Sequence, residues 1–418
     1  MFDVSLPVMT RIRQAIPAPL VEDIPAEIIR QVDLVCPSSL NNRRIAITAG
    51  SRGINNMPVV LRTLVAELKK RGARPFLVPA MGSHGGASAE GQIEVLKTLG
   101  ITPETIGAPI ESSMEVVQIG TTEHDIPVYV DQNVVLADGV VVVNRIKAHT
   151  EFSGEIESGL FKMMVIGLGK HKGASTAHTY ALRRGYARVF KEVGDVILQR
   201  LPVLFGLALL ENCYDQTAEI QGVVARNFFE SEKKLLVRAK ELMMRLPVQK
   251  LDLLIIDEMG KTFSGSGMDT NVVGRIMVYG QEEYTEPDII RILVLDLNEY
   301  SHGNATGIGI ADFTTQRLAD KIDWPSTIVN CVTACAPEKA RLPMVLATDR
   351  EAVAAALSTI GLEDTGKARV VHIKNTLDLS EIEISASLWP ELAANHNLRQ
   401  ITSLEAMRFD PANSLLRI

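Results

Sequence analysis

The chain has 418 residues, 46% of them hydrophobic and 22% charged, with a formal net charge of −7. That length exceeds one ordinary hydrophobic core and predicts two domains, and the composition excludes a disordered chain. The acidic balance excludes a general nucleic-acid binder, because neutralising phosphates needs clustered Lys and Arg. The first residues lack the apolar core of a signal peptide. The greasiest stretch, Leu201–Leu210, falls short of the ~20 residues of a membrane span and reads as a buried strand. Four cysteines, Cys36, Cys213, Cys331 and Cys335, make no disulfide framework. A cytoplasmic protein with no membrane partner is expected.

In chain order, the first clear unit is a strand at Arg44–Thr48, the loop AGSRGINNMP, an amphipathic helix near Val59–Arg71, and a strand at Pro75–Val78. Strand, loop, helix and strand in this order imply a parallel α/β sheet, whose ligands sit at the carboxyl ends of the strands. The run GVVVV at Gly139–Val143 is a further buried strand, delivering Lys147 and His149. A helix is expected over Thr176–Val196 and an exposed one over Phe228–Arg245. A second α/β unit opens at Leu251–Ile256 and continues through a strand at Arg291–Leu297. The expected division is residues 1–247, 248–394, and a tail 395–418 with one route back to the first domain. Each domain is expected to be a mostly parallel sheet flanked by helices, with the active site in the cleft between them.

The segment from Lys147 to His178 concentrates the chemistry. It holds three of the eight histidines, four lysines and five glycines. Arg52, in a Gly-flanked loop after a strand, either clamps a carboxylate with two parallel hydrogen bonds or makes a structural ion pair. His84, in GSHGG, and His149, after an apolar strand, suit proton transfer or plain turn hydrogen bonding. Lys162 lies among apolar neighbours (LFKMMVIG), which favours chemical use over snorkelling. Lys170-His171-Lys172 reads as a surface turn. His149, His171 and His178 are spaced by 22 and 7 residues, which fits no common zinc pattern. The first strand–helix turn has no GxGxxG, which argues against a plain dinucleotide dehydrogenase. Lys261 and His302 stand in Gly-rich loops after second-domain strands, and Cys331/Cys335 read as core thiols.

The ordered set Arg52, Gly82-Ser83-His84, His149, Phe152-Ser153-Gly154, Lys162 and, sixteen residues on, His178 resembles the nickel-dependent lactate racemase family. The resemblance covers residues 44–180 well and the second domain more loosely. It implies a nickel pincer nucleotide (pyridinium-3-thioamide-5-thiocarboxylic acid mononucleotide) carrying Ni(II), joined covalently to Lys162, with His178 as the protein ligand to the metal. It implies His84 and His149 as the acid/base pair, Arg52 on the substrate carboxylate and Lys261 assisting from the second domain. The activity implied is racemisation or epimerisation of a 2-hydroxy acid by reversible hydride transfer, with cofactor-biosynthesis proteins as loading partners. A dehydrogenase acting on 2-hydroxy acids and a non-enzymatic cofactor carrier are the alternatives. The sequence is silent on oligomeric state. Between His149 and Lys162 the chain departs from the family pattern by carrying Glu151, Glu155 and Glu157. Acids beside the cleft would repel a small anion, so a hydroxy acid larger than lactate, such as a sugar acid, is expected.

Overall fold

The computed structural model describes residues 2–418. The chain divides into an N-terminal unit, residues 18–149 and 153–243, and a C-terminal unit, which gathers the stretch before Ala18, residues 150–152 and residues 244–418.

Among the described residues the N-terminal unit carries a five-stranded sheet in the order Arg74–Pro79, Arg44–Ala49, Gly139–Arg145, Val203–Glu211, Thr217–Val224. The first four are parallel and the last returns antiparallel. The central strands are β-branched and buried along both faces, as parallel strands covered by helices must be. The helices Ile24–Val35 and Met57–Lys70 bury Ile28, Val32, Val60, Leu61 and Leu64 against Ile45, Ile47, Val141, Val143 and Leu207. Gly72, at φ +83°, closes the second of these helices. On the other face Gly206 admits Leu160 and Phe228, whose side chains would meet a Cβ at 2.9 and 3.0 Å.

Two helices, Lys170–Arg184 and Tyr186–Arg200, replace the single helix expected over Thr176–Val196. Gly185, at φ +82°, breaks it, a left-handed conformation that Gly alone adopts at little cost. The helix at Phe228–Glu241 is not an exposed one, since Phe228, Glu232, Leu235, Leu236 and Ala239 are buried.

In the C-terminal unit nine described strands form one sheet. Met344–Leu346, Phe313–Thr315, Asp288–Val294, Lys250–Ile256 and Val370–Ile373 run parallel in that order. Glu381–Ser385, Val8–Gln14 and Leu398–Gln400 then continue it antiparallel, and Glu405–Ala406 also pairs with Val8–Gln14. The first strand of the chain therefore lies in the second sheet, and residues from 395 pair with that strand. Alternation in VMTRIRQ marks a half-buried strand but says nothing about which sheet receives it.

Candidate functional site

The site begins with a fault in the N-terminal sheet. Main-chain pairing between Arg44–Ala49 and Gly139–Arg145 stops at Ile47–Val141. Beyond it, Thr48 Oγ1 accepts from the Val143 N–H at 2.8 Å and donates to the Val143 carbonyl at 3.1 Å. A side chain thus stands between the two strands just where their carboxyl ends deliver the loops carrying Arg52 and His149.

In the first of these loops Ser51 Oγ pairs with His84 Nδ1 in a short hydrogen bond. Ser51 had no sequence signal, because its partner lies 33 residues on. The His84 side chain reaches the surface, yet its ring is partly desolvated and stands near the charges of Arg52 and Lys162. Desolvation first, then those two cations, hold its pKa below the ordinary imidazole value. The lowered pKa favours the neutral imidazole, the form that accepts a proton. The bare glycines Gly53 and Gly86 have nothing within 4 Å of where a Cβ would stand.

The second loop is an excursion closed by reciprocal hydrogen bonds between Lys147 and Ser158, at 2.9 and 3.2 Å. Its organiser is Glu157, 1% exposed. The carboxylate accepts from the His149 N–H at 2.5 Å and the Gly154 N–H at 3.3 Å, and pairs with Lys240 at 2.6 Å. His149 Nε2 lies 2.7 Å from Lys162 Nζ. Lys162 ends a short helix, Leu160–Lys162, which runs into a π-helical turn at Met163–Gly167. Such turns interrupt regular helices and often sit at functional sites. Glu232 caps this helix, accepting from the Phe161 N–H at 3.0 Å. Gly159 makes room for it, because a Cβ there would stand 2.3 Å from Glu232 Oε1. Complete burial pushes the Glu232 carboxyl up to about 8.

His178 sits in the helix Lys170–Arg184, its Nδ1 3.2 Å from the Tyr186 hydroxyl and its ring edge-on to Tyr186 at 5.6 Å. The hydrogen bond at Nδ1 and the edge-on ring contact together orient the imidazole. Ala174, one turn earlier on the same face, lies 3.5 Å from the place of a Cβ on Gly82 in the His84 loop. The expected surface turn at 170–172 is corrected at its first residue: His171 and Lys172 are exposed, but Lys170 is fully buried.

The structure thus gathers Arg52, His84, His149 and Lys162 at adjacent strand ends, with His178 on the helix packed beside the His84 loop. Lys261 belongs to the C-terminal unit, in the loop after Lys250–Ile256, where its Nζ donates to the Gly265 carbonyl at 2.6 Å. His302 is exposed and ends a turn at φ +47°, and Cys331 and Cys335 are free thiols. Among the described residues no group of three or more His, Cys, Asp or Glu is arranged to hold a metal, and no helix is long and apolar enough to cross a membrane.

The acids that set this loop apart do not leave bare charge at the site. Glu155 pairs with Lys233, Glu157 with Lys240, and Glu151 lies 3.7 Å from Lys339. The repulsion expected against a small anion therefore has no basis in these three residues. Arg52 gives this end of the sheet a cation suited to a carboxylate.

Residues 39–188 match the family model described as the lactate racemase N-terminal domain. Among solved structures the chain is similar to the lactate racemase apoprotein from Thermoanaerobacterium thermosaccharolyticum. The TM-score is 0.46 and the identity 11%, over 87% of this chain and 84% of that one. No curated protein matches the chain.

Proposed function

The chain is lactate racemase-like through residues 39–188, and from that premise we propose that it is a racemase or epimerase of 2-hydroxy acids that works with a nickel pincer nucleotide. The observation that carries the reading is the grouping of His84, near Arg52 and Lys162, with His149 in contact with the same Lys162.

The donor set fits the cofactor. Lys162 offers a half-buried amine for a thioamide link, and His178, braced by Tyr186, offers one imidazole nitrogen of the kind that suits square-planar Ni(II). When bound, the nucleotide supplies reversible hydride acceptance from the substrate carbon. Arg52 holds the substrate carboxylate. His84 and His149 come from loops after different strands, so each serves the hydroxyl of one enantiomer. One takes the hydroxyl proton as the 2-keto acid forms, and the other returns a proton when the opposite face is reduced. The low pKa of His84 keeps it in the basic form needed to start.

The test uses full-length protein made in a host that assembles and loads the cofactor. A panel of chiral 2-hydroxy acids, lactate and sugar acids included, is followed for inversion, with intact mass and nickel content measured in parallel. Inversion of one of them, with an adduct lost in Lys162→Ala, is the expected result. Active protein with no adduct rejects the cofactor, and net NADH formation from added NAD in place of inversion rejects the racemase.

A further inference from the structure

Lys170 makes three contacts, the number of its N–H bonds. Nζ lies 2.5 Å from the Pro79 carbonyl, 2.9 Å from Gln92 Oε1 and 3.0 Å from Asp131 Oδ2. Lys170, Asp131 and Gln92 are all wholly buried. Burial lowers the pKa of this lysine and raises that of the aspartate, while their mutual attraction opposes both shifts. Lys170 also sits at φ +54°, an uncommon place for a residue with a side chain. A buried ion pair on a strained backbone is a poor way to gain stability, since well-packed apolar residues commonly do as well. Its partners point to another role. Pro79 ends the strand that leads into the His84 loop, and Gln92 lies beneath that loop.

The amide of Gln92 passes the contact on. Its Nε2 donates to the Gly82 carbonyl at 2.9 Å and approaches the His84 carbonyl at 3.4 Å. Beside it, Gly85 and Gly91 touch so closely that a Cβ on Gly91 would stand 1.9 Å from the Gly85 carbonyl oxygen. The loop is thus seated on the helix Ala89–Thr98, and its opposite side meets the π-helical turn through Gly82 N–H to the Gly167 carbonyl at 3.4 Å. Lys170 itself begins the helix that carries His178.

We propose that Lys170, acting through Gln92, is a positioning residue that sets where His84 stands relative to the helix bearing His178. The inference rests on the acid/base role given to His84 above. A displacement of about 1 Å in such a group is enough to slow a reaction on the order of a hundredfold.

The test uses Gln92→Met, which removes the amide but keeps Lys170 with Asp131, and the double variant Lys170→Met/Asp131→Asn, which leaves no buried charge unpaired. A core variant such as Leu61→Ala serves as the control for plain loss of stability. In full-length protein, amide exchange at residues 82–86 should quicken by at least about tenfold in both clamp variants and stay near wild type in the control. In the loaded enzyme kcat should fall by about tenfold with KM within about twofold of wild type. Unchanged exchange in the folded clamp variants overturns the proposal, as does faster exchange with kcat intact. If wild type inverts no 2-hydroxy acid, the functional reading fails, and the exchange measurement alone decides whether the clamp holds the loop.

Discussion

His84 shares its surroundings with two cations, and its proton affinity reports on them. Replacing Arg52 by Met removes one of the charges that depress its pKa, so the pKa should rise. The acid limb of the kcat/KM profile should move to higher pH, and ring NMR of His84 in cofactor-free protein should show the same direction. Loss of the proposed clamp on the carboxylate, about 1.5–3 kcal/mol for a charged hydrogen bond, should also raise KM by about 10- to 100-fold. A KM change without a shifted limb would mean that Arg52 and His84 do not share a site. Arg52, His84, His149 and Lys162 were legible in the sequence, because each lies just past a strand or in an apolar run where its residue type is unusual. Ser51, Tyr186 and Gln92 were not, since a hydrogen-bond partner distant in sequence leaves no spacing. The partners of Glu155 and Glu157 were hidden for the same reason: the lysines opposite them stand 78 and 83 residues away.

At the scale of elements, the short helix of Lys162 is held by a carboxyl kept neutral through burial. The folded pKa of Glu232, about 8, lies above the ordinary 4.5. The folded state therefore binds the extra proton, and the stability this allows is full below 4.5 and lost as pH rises toward 8. Glu232→Gln keeps the acceptor for Phe161 without the titration. It should match wild type near pH 4.5 and surpass it at pH 8.5 by on the order of 5 kcal/mol, read as a Tm gap that widens with pH. A gap that narrows would mean the group is ionised in the fold. The parallel strands and their Gly-rich loops could be read from pattern alone. The break at Gly185 could not, because a single Gly inside a helical pattern is tolerated as often as it terminates one. Nor could the destination of Val8–Gln14, which pairs with strands more than 360 residues away.

At the scale of the whole molecule, each unit is built on one large sheet, and the C-terminal sheet encloses its own titrating cluster. His372, 1% exposed, lies 2.8 Å from Asp257 and 3.4 Å from Glu383, while Arg417 reaches Asp257 at 3.0 Å. Burial opposes charge on the imidazole, but the two carboxylates prevail and raise its pKa, while those of Asp257 and Glu383 are lowered. The imidazolium's contribution is complete below its ordinary value of 6.5 and fades as pH rises through the raised one. The carboxylates' contribution fades as pH falls through their lowered values. Thermal stability of this unit should therefore peak under mildly acidic conditions and decline by pH 9. In His372→Gln the alkaline decline should flatten; an unchanged alkaline limb would show that His372 is neutral in the fold.

The contact between Lys162 Nζ and His149 Nε2, 2.7 Å long, ties the two side chains together. Under the proposed function, acylating that amine would abolish its charge and take away one partner of the imidazole, so attachment of the cofactor and the proton chemistry of His149 would be coupled.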